Sequence, residues 1–187
     1  GGGFMWPILI ALLFGLAIIG ERAYSLINSS SDTDQFFEEV KTIYSDSGKE
    51  QAIEFCENSP GPVASIFYAG LSKMEKTKEE VEKAVQNAGG LEMAFLEKNM
   101  IWINSVITIA PMLGFTGTVV GMIKAFEDIK MANDISPAVV AGGISQALLT
   151  TAFGLIVAMI MQVAQNFFVS MIDKLILDME EQSIKIV

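Results

Sequence analysis

The sequence predicts an all-α integral membrane protein with three transmembrane helices and long cytoplasmic helical extensions. Three apolar segments support this fold class: residues 4–19, 101–126 and 137–168, of whose side chains only that of Lys124 is charged. Runs of this kind are typical of helices that cross a bilayer. The composition agrees, because 51% of the residues are hydrophobic and the mean hydropathy is +0.46.

The pattern of apolar and charged residues divides the chain into six segments. Arg22, Lys98 and Lys174 lie close to the ends of the apolar runs, and basic residues at such ends favour the cytoplasmic side. The first run lacks a basic leader, so we expect a membrane anchor and not a signal peptide. The predicted segments are a first transmembrane helix at 1–20, a cytoplasmic helical domain at 21–99, a second transmembrane helix at 100–126, a short periplasmic loop at 127–136, a third transmembrane helix at 137–168 and a cytoplasmic C-terminal helix at 169–187.

Local signals subdivide the cytoplasmic domain into helices. Residues 29–34 predict a helix start, Ser47-Gly48 predicts a break, and the Ser-Pro-Gly-Pro sequence at 59–62 predicts another. Thr77 with Glu80 forms a capping-box pattern. From Thr77 we expect one long helix that continues into the second transmembrane segment, since no turn signal stronger than Gly89-Gly90 interrupts it.

Composition also excludes several classes of function. The net charge of −10 argues against nucleic acid as a partner, because phosphate binding requires a basic surface. The chain contains no histidine, which excludes Ser-His-Asp and Cys-His catalysis and histidine-based metal sites. Cys56 stands alone and is predicted to be a reduced, half-buried thiol. We therefore predict no catalytic residue, no metal ligand and no cofactor.

Small and polar residues recur along the second and third apolar segments, where lipid would penalise unpaired polar groups. On the third segment the four-residue spacing predicts one slowly winding face. On the second segment a similar face starts at a proline, which leaves the carbonyl of Ile107 free for another partner. These two faces contain Gly142, Gln146, Thr150, Gly154, Ala158 and Gln162 on the third segment, and Pro111, Gly114, Thr118, Gly121 and Ala125 on the second.

Two interpretations of these faces stay open. Glycine is common where membrane helices pack closely, and a threonine can bond to its own helix backbone. That interpretation is favoured for the helix-packing residues Gly114, Gly117, Gly121, Gly142 and Gly154. A glutamine, by contrast, needs several hydrogen-bond partners in a dry environment. Gln146, Thr150 and Thr118 are therefore candidates for an ion or water path.

Two sequence stretches resemble a known family. They are APMLGFTGTVVGMIKAF at 110–126 and GISQALLTTAFGLIVAM at 143–159. Together they resemble the MotA/TolQ/ExbB proton-channel family and are most similar to ExbB and TolQ. The likeness covers all three apolar segments and their order along the chain.

The resemblance implies a function, partners and site residues. It implies a homopentamer in the bacterial inner membrane, with a periplasmic N-terminus and a cytoplasmic C-terminus. The second and third helices would enclose single-span helices of an ExbD- or TolR-type partner, which carries a membrane aspartate, and a TonB- or TolA-type protein would be a further partner. The protein would be no enzyme but a subunit of an ion-driven motor that energises outer-membrane transport or envelope maintenance. By motif position Thr118, Thr151 and Pro111 match family residues at the ion path and the partner helix.

One position departs from the family pattern. ExbB and TolQ usually have a glutamate where this chain has Gln146, and a glutamine cannot titrate. Proton binding would then rest with the aspartate of the partner, and amide and hydroxyl oxygens also suit Na⁺. Two alternatives follow: a structural scaffold that holds a partner helix without ion flow, and a flagellar or gliding stator.

Overall fold

The computed structural model of the chain describes residues 2–29, 33–132 and 137–186. Within these ranges the regular secondary structure is α-helical, and no strand occurs, which confirms the all-α fold class. The helices are α1 (Met5–Ser29), α2 (Thr33–Ser47), α3 (Lys49–Asn58), α4 (Pro62–Ser72), α5 (Lys78–Leu96), α6 (Met100–Ala132) and α7 (Pro137–Ile186).

Three helical stretches are long and apolar enough to cross a membrane. They are formed by α1, by α6 and by the first part of α7, as the sequence predicts. The predicted breaks at Ser47-Gly48 and at 59–62 are also present, where Gly48 and Gly61 adopt φ values of 92° and 110° that other residues rarely adopt. The predicted continuation of the third transmembrane helix beyond Phe168 is confirmed by α7.

Two helices continue beyond the predicted limits of their transmembrane segments. The first helix continues past residue 20 to Ser29, and α6 continues past Phe126 to Ala132, while the limits of the membrane-spanning parts stay predictions. Six residues of the predicted loop at 127–136 are therefore helical, and its remainder, 133–136, lies outside the described residues. Helical propensity extends the helices past the last residue that is apolar enough to belong in lipid. Part of the predicted helix start at 29–34, residues 30–32, is also outside the described ranges.

The expected continuous helix from Thr77 into the second transmembrane segment is interrupted. The helix α5 ends at Leu96, and α6 begins at Met100 after a short turn in which Asn99 has a φ of 66°. Asparagine is one of the few non-glycine residues that enter this left-handed region readily. The side-chain amide of Asn99 donates to Glu21 at 3.2 Å. Gly89 and Gly90, by contrast, lie inside α5.

The chain forms two compact units. The membrane unit, as we name it here, comprises residues 1–21 and 99–167, and the helical domain comprises residues 22–98 and 168–187. Within the membrane unit the buried residues of α6 and α7 recur at steps of three or four positions, with one step of eight on α6 where Gly121 is half-buried, the spacing of a helix that packs along one face. They are Ile103, Val106, Ala110, Gly114, Gly117 and Ala125 on α6, and Ala147, Thr150, Gly154, Val157 and Met161 on α7.

The helical domain has an aromatic core. The ring of Phe36 stacks on that of Phe55 at a centroid distance of 5.6 Å and meets the edge of Phe67 at 5.8 Å. Cys56 is fully buried in this domain and not half-buried as predicted. Burial disfavours the thiolate and raises the pKa of Cys56 to about 11, so the thiol is unreactive near neutral pH.

A buried arginine closes the end of α5. Arg22 is 1% exposed, and its guanidinium donates to the backbone carbonyls of Phe95 and Leu96 at 3.4 Å each. The last carbonyls of a helix have no partner within it, and a cation near them also complements the helix dipole. Arg22 therefore gives the carbonyl of Leu96 a partner and adds a second donor to the carbonyl of Phe95, which also accepts from the backbone N–H of Lys98 at 3.2 Å.

The capping box at the start of α5 is present as predicted and yields a first prediction. The Thr77 hydroxyl accepts from the backbone N–H of Glu80 at 3.3 Å, and the Glu80 carboxylate accepts from the N–H of Thr77 at 3.2 Å. We expect Thr77→Ala to destabilise the first turn of α5 by about 1 kcal/mol. Hydrogen–deuterium exchange of the purified protein should then accelerate in the first two turns of α5.

Thr42→Ala is the matched control. Thr42 is also exposed, but its hydroxyl bonds within α2 to the carbonyl of Glu38 at 2.8 Å and caps nothing. We expect unchanged exchange in α5 for this variant. Equal exchange in Thr77→Ala and in the parent protein would show that the capping box adds no stability.

Candidate functional site

Glycine residues allow α6 and α7 to approach closely in the membrane unit. A methyl group at Gly154 would lie 2.5 Å from the carbonyl oxygen of Ala110, and one at Gly114 would lie 3.0 Å from the Cα of Thr151. A methyl group at Gly117 would lie 2.6 Å from the Thr150 methyl carbon. Any side chain at these positions would push the two helices apart. The packing role predicted for these three glycines agrees with the contacts.

The glycines near the ends of these segments differ in the contacts that they make. Gly121 packs against Ala147, since a methyl group there would come within 2.9 Å of its Cβ. Gly142 has open space around it within the chain, whereas a methyl group on Gly143 would lie 2.6 Å from the Cβ of Ala125. The four-residue spacing selects Gly142, whereas within one chain Gly143 makes the close contact, so the packing role of Gly142 stays a prediction.

Thr118 and Thr151 meet across the closely packed interface of α6 and α7. Their hydroxyls hydrogen-bond to each other across the α6–α7 interface. The Thr118 hydroxyl also lies 3.2 Å from the carbonyl oxygen of Ala147 and 3.3 Å from that of Gly114, and the Thr151 hydroxyl lies 2.9 Å from the latter oxygen. Both threonines are half-buried, so one edge of the pair is open in a single chain.

The two hydroxyls of Thr118 and Thr151 have more lone pairs that can accept hydrogen bonds than protons that can be donated. Each hydroxyl carries one proton and two lone pairs, and the two protons are shared among four close oxygen contacts. Lone pairs therefore remain on Thr118 and Thr151 for a donor or a cation that reaches their open edge. Water, a monovalent cation and a protonated carboxyl group all satisfy that requirement.

Gln146 precedes Thr151 by five residues on α7 and is exposed in the single chain. It lines a cavity of about 230 Å³ together with Lys124 and Asp128 of α6. Thr150, predicted for the same path, is instead 2% exposed, and its hydroxyl donates to the carbonyl of Gln146 at 3.0 Å. Pro111 is half-buried inside α6. The ion-path roles of Gln146, Thr150 and Pro111 stay predictions.

The winding face predicted on α7 does not stay on one side of the helix. Residues four apart are rotated by about 40°, so a run of four-residue steps turns around the helix. Gln146 and Gln162 are both exposed, whereas Thr150 and Gly154 between them are buried. The amide of Gln162 donates to the side-chain oxygen of Asn166 at 2.9 Å. The polar residues thus cross the α6–α7 interface between the two glutamines.

Other polar residues of α6 are satisfied within their own helix. Thr108 donates to the carbonyl of Asn104 at 3.0 Å, and Thr116 donates to that of Met112 at 2.8 Å. Both are exposed and do not contribute to the hydroxyl pair. In the part of the chain that the structure describes, no cluster of three or more acidic, histidine or cysteine residues could hold a metal ion.

Sequence reasoning found Thr118 and Thr151 but missed the cavity beside Gln146. Lys124 lies near the end of the predicted second transmembrane helix, and Asp128 lies in the predicted loop at 127–136. Lys124 and Asp128 are four residues apart, so they lie on one face of α6 if that helix continues past Phe126. This spacing is the sequence signal that could have identified the cavity.

Comparison with known proteins connects this geometry to a family. The family model described as "MotA/TolQ/ExbB proton channel family" matches residues 58–181. An ExbB-like biopolymer transport protein of Synechocystis sp. is 28% identical over 173 residues, which cover 91% of this chain and 82% of the relative. An ExbB homologue of Methanothermobacter thermautotrophicus is 29% identical over 174 residues, and the match spans 62% of its length.

A more distant match points to the same family. The Tol-Pal system protein TolQ of Pseudomonas aeruginosa is 29% identical over 125 residues, 59% of this chain and 54% of the relative. The resemblance drawn from residues 110–126 and 143–159 is therefore confirmed, and both stretches lie within the matched range. The chain is a multi-pass membrane protein that belongs to the MotA/TolQ/ExbB proton channel family.

Proposed function

We propose that this protein is the ion-channel subunit of a motor that uses a proton or sodium gradient to drive a partner complex. The observation that carries the proposal is the hydroxyl pair of Thr118 and Thr151 in the interface of α6 and α7. Its open edge offers unshared lone pairs within the membrane-spanning part of the chain. Membership of the family supports an ion-conducting role for this pair.

The titrating group must come from another chain. Neither 101–126 nor 137–168 contains an aspartate or glutamate. A hydroxyl pair can solvate a passing ion but cannot store a proton at physiological pH. We propose that a single-span partner of the ExbD or TolR type supplies a membrane aspartate, which binds the ion next to Thr118 and Thr151. A TonB- or TolA-type protein would receive the resulting work.

Relatives suggest what the motor energises. The relative in Synechocystis sp. is named for biopolymer transport, and that in Pseudomonas aeruginosa for the Tol-Pal system. We propose transport across the outer membrane or maintenance of the envelope, from a site in the inner membrane. In the proposed orientation the end of α1 at Met5 and the α6–α7 connection face the periplasm, and the helical domain is cytoplasmic. No enzymatic step is proposed.

A structural scaffold is the alternative that a specific observation favours. Both threonine hydroxyls already have acceptors within the chain, such as the carbonyls of Gly114 and Ala147. Hydroxyls that bond in this way also stabilise helix packing. The alternative expects Thr118 and Thr151 to matter for assembly and not for ion flow.

The assembly should be a homopentamer. In a single chain the open edge of the hydroxyl pair and the exposed side chain of Gln146 have no protein cover, and polar groups in lipid cost several kcal/mol when unsatisfied. Native mass spectrometry from mild detergent should record a pentamer. A stable monomer that retains ion-driven activity would contradict the proposal.

Removal of either hydroxyl should leave assembly intact and reduce ion flux. Thr118→Val and Thr151→Val keep the shape of the side chain and delete its oxygen. We expect pentamers to form as in the parent, and ion flux driven by an imposed gradient in vesicles with the partner to fall about tenfold, the equivalent of one lost hydrogen bond of about 1–1.5 kcal/mol.

Thr116→Val is the matched control, because its hydroxyl bonds only to the carbonyl of Met112 on the same helix. We expect flux at the parental rate for this variant. If Thr118→Val and Thr151→Val conduct as well as Thr116→Val, the pair serves packing alone and the scaffold is the better description.

Gln146 yields a prediction about the ion. Gln146→Leu removes a neutral hydrogen-bonding group from the proposed path, and we expect flux to fall about tenfold or more if the amide contacts a charged species. Gln146→Glu should keep proton-driven flux and change the preference between H⁺ and Na⁺ if the side chain is an ion ligand. Flux would be measured in vesicles under an H⁺ gradient and then under a Na⁺ gradient. Parental flux of Gln146→Leu under both gradients would remove Gln146 from the path.

A further inference from the structure

The cavity beside Gln146 lies within a single chain. It is bounded by the last part of α6, the first part of α7 and the residues that precede α1. Its volume is about 230 Å³, which holds several water molecules. Gly2, Gly3, Gly121 and Gly143 contribute no side chain to its wall.

The lining is suited to water. The side chains of Lys124, Asp128 and Gln146 offer donors and acceptors, and all three are exposed. A cavity keeps water when it is roomy and provides several polar partners for each molecule, whereas a purely apolar cavity stays dry. Lys124 and Asp128 lie one helical turn apart with opposite charges, so Asp128 partly offsets the repulsion that Lys124 exerts on a cation.

The inner wall of the cavity adjoins the hydroxyl pair. Ala147 lines the cavity, and its backbone carbonyl lies 3.2 Å from the hydroxyl of Thr118. Thr150 also lines the cavity and is followed directly by Thr151. The cavity is therefore lined by one residue that contacts the hydroxyl pair and by one that adjoins it in the sequence.

We propose that this cavity is a water-filled vestibule inside each subunit, through which the driving cation passes from the outer aqueous phase toward Thr118 and Thr151. The inference rests on the proposed function for the direction of transport. It adds an entry route formed by one chain, with Asp128 and Gln146 as polar contacts for a hydrated monovalent cation and Lys124 as a positive charge that limits its concentration.

Two adjacent valines give a matched test. Val120 lines the cavity and is 45% exposed, whereas Val119 is 43% exposed and is not part of the lining. The parent protein supplies a low background, because Cys56 is buried and its pKa is raised to about 11. Val120→Cys and Val119→Cys would each be made in the full chain and treated in native membranes with a cationic, membrane-impermeant methanethiosulfonate.

From the outer side we expect Val120→Cys to react at least about tenfold faster than Val119→Cys, because a thiolate forms and reacts only where water reaches it. Lys124→Gln in the Val120→Cys background should accelerate labelling by this cationic reagent and slow labelling by an anionic one. Equal rates for the two valine positions, or labelling of Val120→Cys from the cytoplasmic side alone, would overturn the vestibule.

A flux measurement links the vestibule to conduction. Val120→Phe places an aromatic ring in the cavity, and Val119→Phe adds the same volume outside it. We expect at least about a tenfold loss of flux for Val120→Phe, about 1.4 kcal/mol in barrier height, and parental flux for Val119→Phe. Equal flux in the two variants would overturn the entry route. Absence of flux in the parent would instead contradict the proposed function, and the labelling rates would still decide whether the cavity is wet.

Discussion

The close approach of α6 and α7 is the constraint on which the rest of the membrane unit depends. At Gly154 a single methyl group would come within 2.5 Å of a backbone oxygen of Ala110, so the two helices touch backbone to backbone. At such short separation a threonine on one helix reaches the carbonyls of the other. The meeting of Thr118 and Thr151 is therefore a product of glycine packing and not of the threonines alone.

Because the hydroxyl pair depends on glycine packing, the two interpretations of the polar faces, helix packing and an ion path, are compatible. The glycines serve packing, as their contacts indicate, and packing creates the place where two hydroxyls share too few protons for their oxygen neighbours. In lipid such a place is favourable only because it is enclosed by protein. In the proposed channel, a subunit without aspartate or glutamate at 101–126 and 137–168 can then still present oxygen atoms to a titrating group from another chain.

The sequence predicts that the membrane helices exist but not where each helix ends. It identifies Thr118 and Thr151 as site residues but not the cavity beside Gln146. Apolar runs and the Ser-Pro-Gly-Pro turn at 59–62 are local patterns, so the amino-acid sequence alone predicts the helices and the break that they specify. The turn before α6 depends on Asn99 in a left-handed conformation, and Gly89-Gly90 carried the stronger local signal for a break. The choice of Gly143 over Gly142 depends on where Ala125 lies, which no local pattern contains.

The unbroken length of α7 has a consequence for how the chain can vary. Its buried positions recur at steps of three and four residues from Ala147 through Thr150 and Gly154 to Ile172, Leu175 and Met179. An inserted or deleted residue would turn every later side chain by about 100° and bring lipid-facing or water-facing groups into the interior. Length changes in this helix are therefore best accommodated near whole numbers of turns, such as about 7, 11 or 18 residues, which restore the buried face to within about 20°.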